Sequence, residues 1–235
     1  MASGKGLLVN ALGRLILRES VIRSIHEISE HVRAIELAGE GLKGASWIAG
    51  DKLQLLLPSL EMRTYTPVRW DRSGGVTELV VYHHGETPGA RWCRAAKPGD
   101  RCRFVGPQRS LRWDPARPAL LFGDETSYAV AQALARAATS TIGFVFEVGS
   151  TLEADRVFAA TKLEAVTVER GAQDRHLAEV ARHVRGVLAR QPGTQLLLTG
   201  RAQSIQSIRS LLRTDNGPRP DATKAYWAVG KVGLD

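Results

Sequence analysis

The sequence predicts two domains: a small antiparallel β-barrel over residues 1–115, and a doubly wound α/β domain over residues 116–235. Three observations predict it. Residues 20–105 hold short β-prone runs separated by glycine-rich turns, with almost no helical period, which is the pattern of a barrel. From residue 119 onward the strand-like runs are apolar throughout and alternate with helical segments, as in a parallel sheet covered on both faces. Between the two textures, residues 108–117 are polar and proline-containing and read as an interdomain linker. A chain of 235 residues, 43% hydrophobic, is long enough to bury two modest cores.

The elements follow in order. Leu8, Leu12, Leu15 and Ile16 fall on one helical face, so residues 6–17 predict an amphipathic helix packed on the body. The stretch lacks the sustained apolar span of a membrane helix and a clear signal-peptide pattern, so stable membrane insertion is not expected. Residues 21–25 and 31–37 are strands, the second alternating apolar and polar. Gly39, Gly41 and Gly44 mark a loop. Strands are expected over 51–58, 63–71, 77–84 and 100–105, with one short helix over 89–96 entered through Pro88. The second domain reads as strand 119–122, helix 128–138, strands 142–148 and 165–168, helix 177–189, strand 195–199, helix 204–213 and a last strand 225–230.

Composition narrows the chemistry. The formal charge is +8, but the Lys and Arg residues are scattered, which argues against nucleic acid and suits an anionic small molecule. The two cysteines, Cys93 and Cys102, are nine positions apart with no C-x-x-C, so no cysteine-based metal site is expected; a reducing cytoplasm suits them best, with a disulfide between them as the alternative. His83 and His84 are strand neighbours that point to opposite faces, so no metal site is assigned to them.

The most informative stretch is Arg63-Thr64-Tyr65-Thr66-Pro67. In a strand, Arg63 and Tyr65 share one face, and Thr64 and Thr66 share the other unless a bulge intervenes. A guanidinium fork beside an aromatic ring matches a flat, anionic ligand carrying a pyrophosphate, and Thr66 offers a hydroxyl. The start of the 89–96 helix is a second phosphate candidate, with Gly89 and Ala90 small enough to admit a ligand to the backbone. In the second domain, ligands are expected where strands end: residues 123–126, 147–150 and 199–201. Glu147 lies 24 positions past Gly123 and loosely fits a residue that takes the ribose hydroxyls of NAD, whereas Arg201 and Arg209 favour NADP; ordinary surface charge explains all three equally well. There is no G-x-G-x-x-G. Asp124 or Thr126 is expected to cap the helix that follows.

The order and spacing of several short pieces carry a resemblance. They are Arg63 to Pro67; Val81-Tyr82-His83-His84-Gly85, then Pro88 and Arg91-Trp92; Pro98-Gly99-Asp100; Gly106-Pro107; Gly123-Asp124-Glu125-Thr126; and Tyr226-Trp227 with Gly230. Together they resemble the siderophore-interacting proteins, FAD-dependent ferric-siderophore reductases of the ferredoxin–NADP reductase superfamily. The resemblance implies a Greek-key barrel that binds FAD and a nicotinamide-binding-like α/β domain. It implies that Arg63 pairs with the FAD pyrophosphate, that Tyr65 lies against the flavin or ribityl chain, and that Thr66 sits near the reactive edge, with Thr64 beside them. Tyr82, His83 and His84 would line the cofactor, Gly89 and Ala90 would meet the pyrophosphate, and Thr126 would lie near the flavin. Gly123, Asp124, Glu147 and Arg201 would serve the nicotinamide. NADPH or NADH would supply electrons, unless an electron-donor protein does, and a ferric siderophore would receive them. The alternatives are a flavin reductase serving a protein or quinone acceptor, and a module that holds FAD or siderophore without turnover. Several positions depart from the family pattern: Thr87-Pro88-Gly89-Ala90 stands where Gly-Pro-Ala-Ser is common, which loses the Ser hydroxyl at Ala90; Ala129 replaces a common Pro; and Arg201 stands where a Glu is usual, a charge reversal.

Overall fold

The computed structural model describes residues 17–213 and 217–231. Apart from Leu17, the amphipathic helix expected over residues 6–17 lies outside them. No helix among the described residues is long and apolar enough to cross a membrane.

The first domain contains β1 (Arg18–Ser29), β2 (Val32–Ala38), β3 (Lys52–Leu56), β4 (Met62–Tyr65), β5 (Pro67–Asp71), β6 (Val76–Tyr82), α1 (Pro88–Ala95) and β7 (Arg101–Gln108). The strands form one antiparallel sheet in the order β4-β3-β7-β1-β2-β6-β5. Its two end strands, β4 and β5, are consecutive in the chain with only Thr66 between them. The sheet therefore curls until its edges meet. The single strand expected over 63–71 is in fact broken at Thr66: one half pairs with β3 and the other with β6. Pro67 cannot donate to a ladder, so it suits this corner. Alternate residues point inward, and Ile35, Leu37, Leu53, Leu55, Leu79 and Phe104 fill the barrel. Cys93 and Cys102 are free thiols in the same core. Burial pushes them up to about 12 and about 11, so they are inert thiols at neutral pH.

The second domain is β8 (Ala119–Gly123), α2 (Tyr128–Ala137), β9 (Ile142–Val148), α3 (Thr151–Thr161), β10 (Val166–Glu169), α4 (Leu177–Arg190), β11 (Gln195–Arg201), α5 (Ala202–Leu212) and β12 (Ala222–Trp227). The sheet is parallel, in the order β10-β9-β8-β11-β12. Its period of two sorts the side chains into two cores. Leu120, Phe122, Val145, Leu196 and Leu198 pack with residues of α4 and α5. Leu121, Phe144, Phe146 and Leu197 pack with residues of α2 and α3. Helix α3 was not expected from sequence, although parallel strands β9 and β10 need a crossover between them.

The second core does not stop at the domain boundary. Val32, Ala49, Val68 and Val80 of the barrel and Leu111 of the connecting segment belong to it. Each large side chain fully buried in this way contributes about 1.5–3 kcal/mol. The expected linker is therefore packed: the Trp113 indole donates to Ala49 O at 3.1 Å, and the Asp114 N–H donates to Gln195 Oε1 at 2.8 Å. Glu153 of α3 adds a polar clasp, accepting from Ser29 Oγ at 2.8 Å and from His31 N at 2.9 Å. These contacts fix the carboxyl ends of β8 and β11 beside the ends of β4 and β6.

Candidate functional site

A cavity of about 530 Å³ lies between those strand ends. The barrel contributes Arg63, Thr64, Tyr65, Thr66, Tyr82 and His84, together with the Thr87-Pro88 entry to α1. The other domain contributes Thr126, Ala129, Tyr226, Trp227 and Lys231. Because the chain turns at Thr66, all four residues from Arg63 to Thr66 reach the cavity, rather than alternate pairs.

Tyr65 stands between the cavity and the barrel core, its ring 5.6 Å from that of Trp92. Burial holds its phenol well above the usual range, so it stays neutral. A Cβ on Gly89 would come within 3.1 Å of the Tyr65 hydroxyl, so glycine is what lets α1 begin this close. The Arg63 guanidinium is about one-fifth exposed; it donates to Glu61 Oε1 at 3.0 Å and to Met62 O at 2.8 Å. The exposed Glu61 carboxylate is a removable partner. Its pKa is lowered by hydrogen bonds from Ser59 and Arg63.

On the next wall, Tyr82 and His84 are two apart in sequence and share a face, their rings 5.0 Å apart and 26° from parallel. Trp227 lies 6.4 Å beyond His84. Burial pushes Tyr82 up to about 12 and holds His84 below its ordinary value, so this aromatic wall is uncharged at neutral pH. His83 points elsewhere. It is buried near His31, with no partner for either ring nitrogen among the described residues, and it does not line the cavity.

The far wall is tied together. The Tyr226 hydroxyl is hydrogen-bonded to Thr66, linking the domains across the cavity floor. Asp124 accepts from Thr126 N at 2.9 Å, from the Thr126 hydroxyl, and from Trp227 Nε1 at 2.7 Å. Asp124 caps the 3-10 turn Glu125–Ser127 rather than the helix that follows, which starts from Ser127 without a side-chain cap. Glu125 is engaged by the Arg170 guanidinium and by Gly149 N at 2.7 Å.

Seven of the expected residues, His83, Gly89, Ala90, Gly123, Asp124, Glu147 and Arg201, do not line this space. The Ala90 N–H is occupied by the Thr87 side chain at 3.2 Å, which caps α1, so it is not offered to a phosphate. Asp124 is buried on its own partners. Glu147 is fully buried: its carboxylate accepts from His176 Nε2 at 2.7 Å and from Ser204 Oγ at 2.6 Å. Gly171 N donates to His176 Nδ1, so His176 is the neutral tautomer that donates from Nε2. Arg201 folds back onto the same network, 2.6 Å from Ser204 Oγ, 3.8 Å from Glu147 and 2.6 Å from Asp174. Neither Glu147 nor Arg201 is set out for a ribose or its phosphate. Gly123 has no room for a side chain, since a Cβ would lie 2.5 Å from the Ser127 side chain. Sequence reasoning did not assign Tyr226 and Trp227 to the site, although an aromatic pair at the end of the last strand was a visible signal.

The cavity fits FAD on its own terms. Its walls carry the Arg63 cation with an exchangeable partner, the polar side chains of Thr64, Thr66 and Thr126, and an uncharged run of aromatic rings in which Tyr82 stacks on His84.

Comparisons agree. Residues 59–111 match the siderophore-interacting FAD-binding domain, and residues 116–230 match the siderophore-interacting protein family. No curated protein sequence matches the chain. Among solved structures, a siderophore utilization protein from T. fusca is similar at 22% identity and TM-score 0.73, covering 93% of this chain and 95% of that one. The siderophore-interacting protein SipS from Aeromonas hydrophila is similar at 18% identity and TM-score 0.70, covering 92% and 93%. Phthalate dioxygenase reductase shares the fold at 12% identity and TM-score 0.70, covering 92% of this chain and 70% of that one. The two family matches meet at the cavity, one supplying the Arg63 to Thr66 wall and the other the Thr126 and Trp227 wall. They support a flavin-dependent reductase that binds FAD, and they show that the chain belongs to the siderophore-interacting protein family.

Proposed function

We propose that this protein is an NAD(P)H-dependent reductase that passes electrons through FAD to the ferric iron of a siderophore. Fe(II) is held far less tightly by hard oxygen donors than Fe(III), so reduction releases the metal. The observation that carries the reading is the cavity itself, closed by Arg63–Thr66 on one side and by Thr126 and Trp227 on the other. FAD supplies hydride and single-electron chemistry that no side chain on these walls can provide.

The chain's own residues bind and orient. Arg63 exchanges the Glu61 carboxylate for a pyrophosphate, a stronger bidentate partner. Tyr65 and Gly89 set how near α1 approaches. Tyr82, His84 and Trp227 orient a planar ring system, and burial keeps Tyr82 and His84 neutral, so the wall adds no charge to it. The Thr66–Tyr226 bond keeps the two domains at one spacing across the cavity. The formal charge of +8 favours approach of an anionic ferric siderophore. Two buried free thiols suit a reducing cytoplasm.

A specific observation favours a second reading of the electron donor. Glu147 and Arg201 are engaged with each other, His176, Ser204 and Asp174 rather than with the space a nucleotide would fill. On that reading an electron-donor protein reduces the flavin.

The test is anaerobic turnover of a ferric siderophore with NADH or NADPH and an Fe(II)-specific chelator as a trap. The proposal expects the Fe(II) complex to accumulate only when protein, FAD and a nicotinamide are all present. Nicotinamide oxidation with no Fe(II) trapped would contradict the acceptor. Iron release only with a reduced ferredoxin-type donor would select the second reading.

A further inference from the structure

We propose that Asp124 is the positioning residue of the cavity's far wall: its one carboxylate holds both the Trp227 ring and the Thr126 hydroxyl, and its protonation state sets whether Thr126 offers a lone pair or a proton to a bound flavin. The flavin half of this rests on the FAD reading above.

The geometry is closed on every side. Asp124 is 1% exposed, at the carboxyl end of β8. Its Oδ2 accepts from the Trp227 indole at 2.7 Å, and its Oδ1 accepts from the Thr126 N–H and hydroxyl. Gly200, at the end of β11, has φ +96°, and a Cβ there would lie 2.6 Å from the Asp124 carboxyl carbon. The β11 turn thus packs directly onto the carboxylate, which only glycine permits. Trp227 and Thr126 both line the cavity, whereas Asp124 does not. The carboxylate therefore acts on the cavity through these two side chains.

An ionised carboxylate is acceptor-only, so the Thr126 hydroxyl spends its proton on Oδ1 and has only its two lone pairs to offer the cavity. When a proton arrives on Oδ1, that O–H donates to the Thr126 oxygen, and the Thr126 hydroxyl keeps its own proton but rotates to point it toward the cavity. The wall changes from acceptor to donor with no heavy atom moving. Burial raises the Asp124 carboxyl to about 6, against the opposing bonds from Thr126 and Trp227. The charged and titratable groups that face it are Glu125 on its own turn, which raises it further, Arg170 beyond β10, which lowers it, and Tyr226 on β12 and Tyr82 on β6, both neutral in this range. The switch therefore falls near the physiological range rather than at the usual carboxylate value.

The experiment uses the full chain labelled with ¹⁵N at tryptophan, with and without FAD. The Trp227 indole N–H resonance is identified by its loss in Trp227→Phe. The proposal expects this resonance to move with a midpoint near pH 6 in the wild type and to stand still in Asp124→Asn. In the FAD-loaded protein the visible flavin band should shift with the same midpoint, and the shift should vanish in Thr126→Val. A Trp227 resonance unmoved between pH 5 and 8, or one that still titrates in Asp124→Asn, would overturn the role of Asp124. A titrating indole with an unmoved flavin band would overturn the coupling through Thr126. A chain that retains no FAD would instead defeat the cofactor reading, and the indole titration of that sample would still decide what Asp124 does.

Discussion

Arg63 and Glu61 should respond to mutation with opposite signs. In the structure the guanidinium is held by Glu61 at 3.0 Å and by Met62 O at 2.8 Å, on a strand end where its own stem is mostly covered. Binding a pyrophosphate requires Arg63 to leave the carboxylate and take up charge-assisted bonds to phosphate oxygens, each worth about 1.5–3 kcal/mol. Arg63→Ala should therefore weaken FAD by roughly 10- to 100-fold. Glu61→Gln removes the competitor and should tighten FAD by a small factor, because an exposed pair is worth little. The assay is titration of FAD into apoprotein by quenching of flavin fluorescence, at low and high salt, with thermal melting of each apoprotein as the control. The Arg63→Ala loss should shrink as salt rises. Equal dissociation constants for wild type and Arg63→Ala would refute the pyrophosphate role. Weakening by Glu61→Gln as large as that of Arg63→Ala would show that the pair is a structural brace.

Further predictions concern the frame around the cavity. Glu153→Ala removes the clasp on Ser29 and His31 and should cost about 1–3 kcal/mol, a melting shift of roughly 2–12 °C for a chain of this size, together with weaker FAD retention, because the cavity spans both domains. Burial alone would raise the Glu153 carboxyl, but the Ser29 and His31 bonds outweigh it and hold it below 4.5. Its contribution is therefore present above pH 4.5 and fades as pH falls through the lowered value, and the wild-type advantage over Glu153→Ala in melting temperature should shrink on acidification. Glu147→Gln should lower stability by about 1–3 kcal/mol, because it breaks a buried network, yet leave the ratio of NADH to NADPH turnover unchanged; a changed ratio would put Glu147 in contact with the nucleotide. Gly200→Ala should lower the melting temperature by several degrees, since it combines a left-handed φ of +96° with a Cβ 2.6 Å from the Asp124 carboxyl; an unshifted melt would show that the turn relaxes.

Much of the fold was legible because strand periodicity is local. The alternation in β2 and the all-apolar run of β8 declared half-buried and fully buried strands directly. The break at Thr66 was not legible, because it arises from barrel closure: one stretch must serve two partners on opposite edges of the sheet. Helix α3 was missed despite a readable cap, Ser150 accepting from Glu153 N; its mixed Ala, Asp and Arg content gives little apolar stripe, and only the need for a crossover between β9 and β10 compels it. The Arg63 to Thr66 wall could be read from its residue types alone, since the strand alternation expected there gives way at the Thr66 break. Glu147 could be placed at a strand end, but its burial depends on His176 and Ser204, which lie 29 and 57 positions away. Asp124 was legible as a cap from its neighbours, whereas its bond to Trp227 spans 103 positions and belongs to the packing of β12.

The most direct measurement is the anaerobic visible spectrum of the purified protein reconstituted with FAD, before and after NADH or NADPH and then a ferric siderophore. The account predicts a bound-flavin spectrum that a nicotinamide bleaches and the ferric siderophore restores without oxygen. A protein that retains no FAD after reconstitution would contradict the assignment of the cavity on which everything else rests.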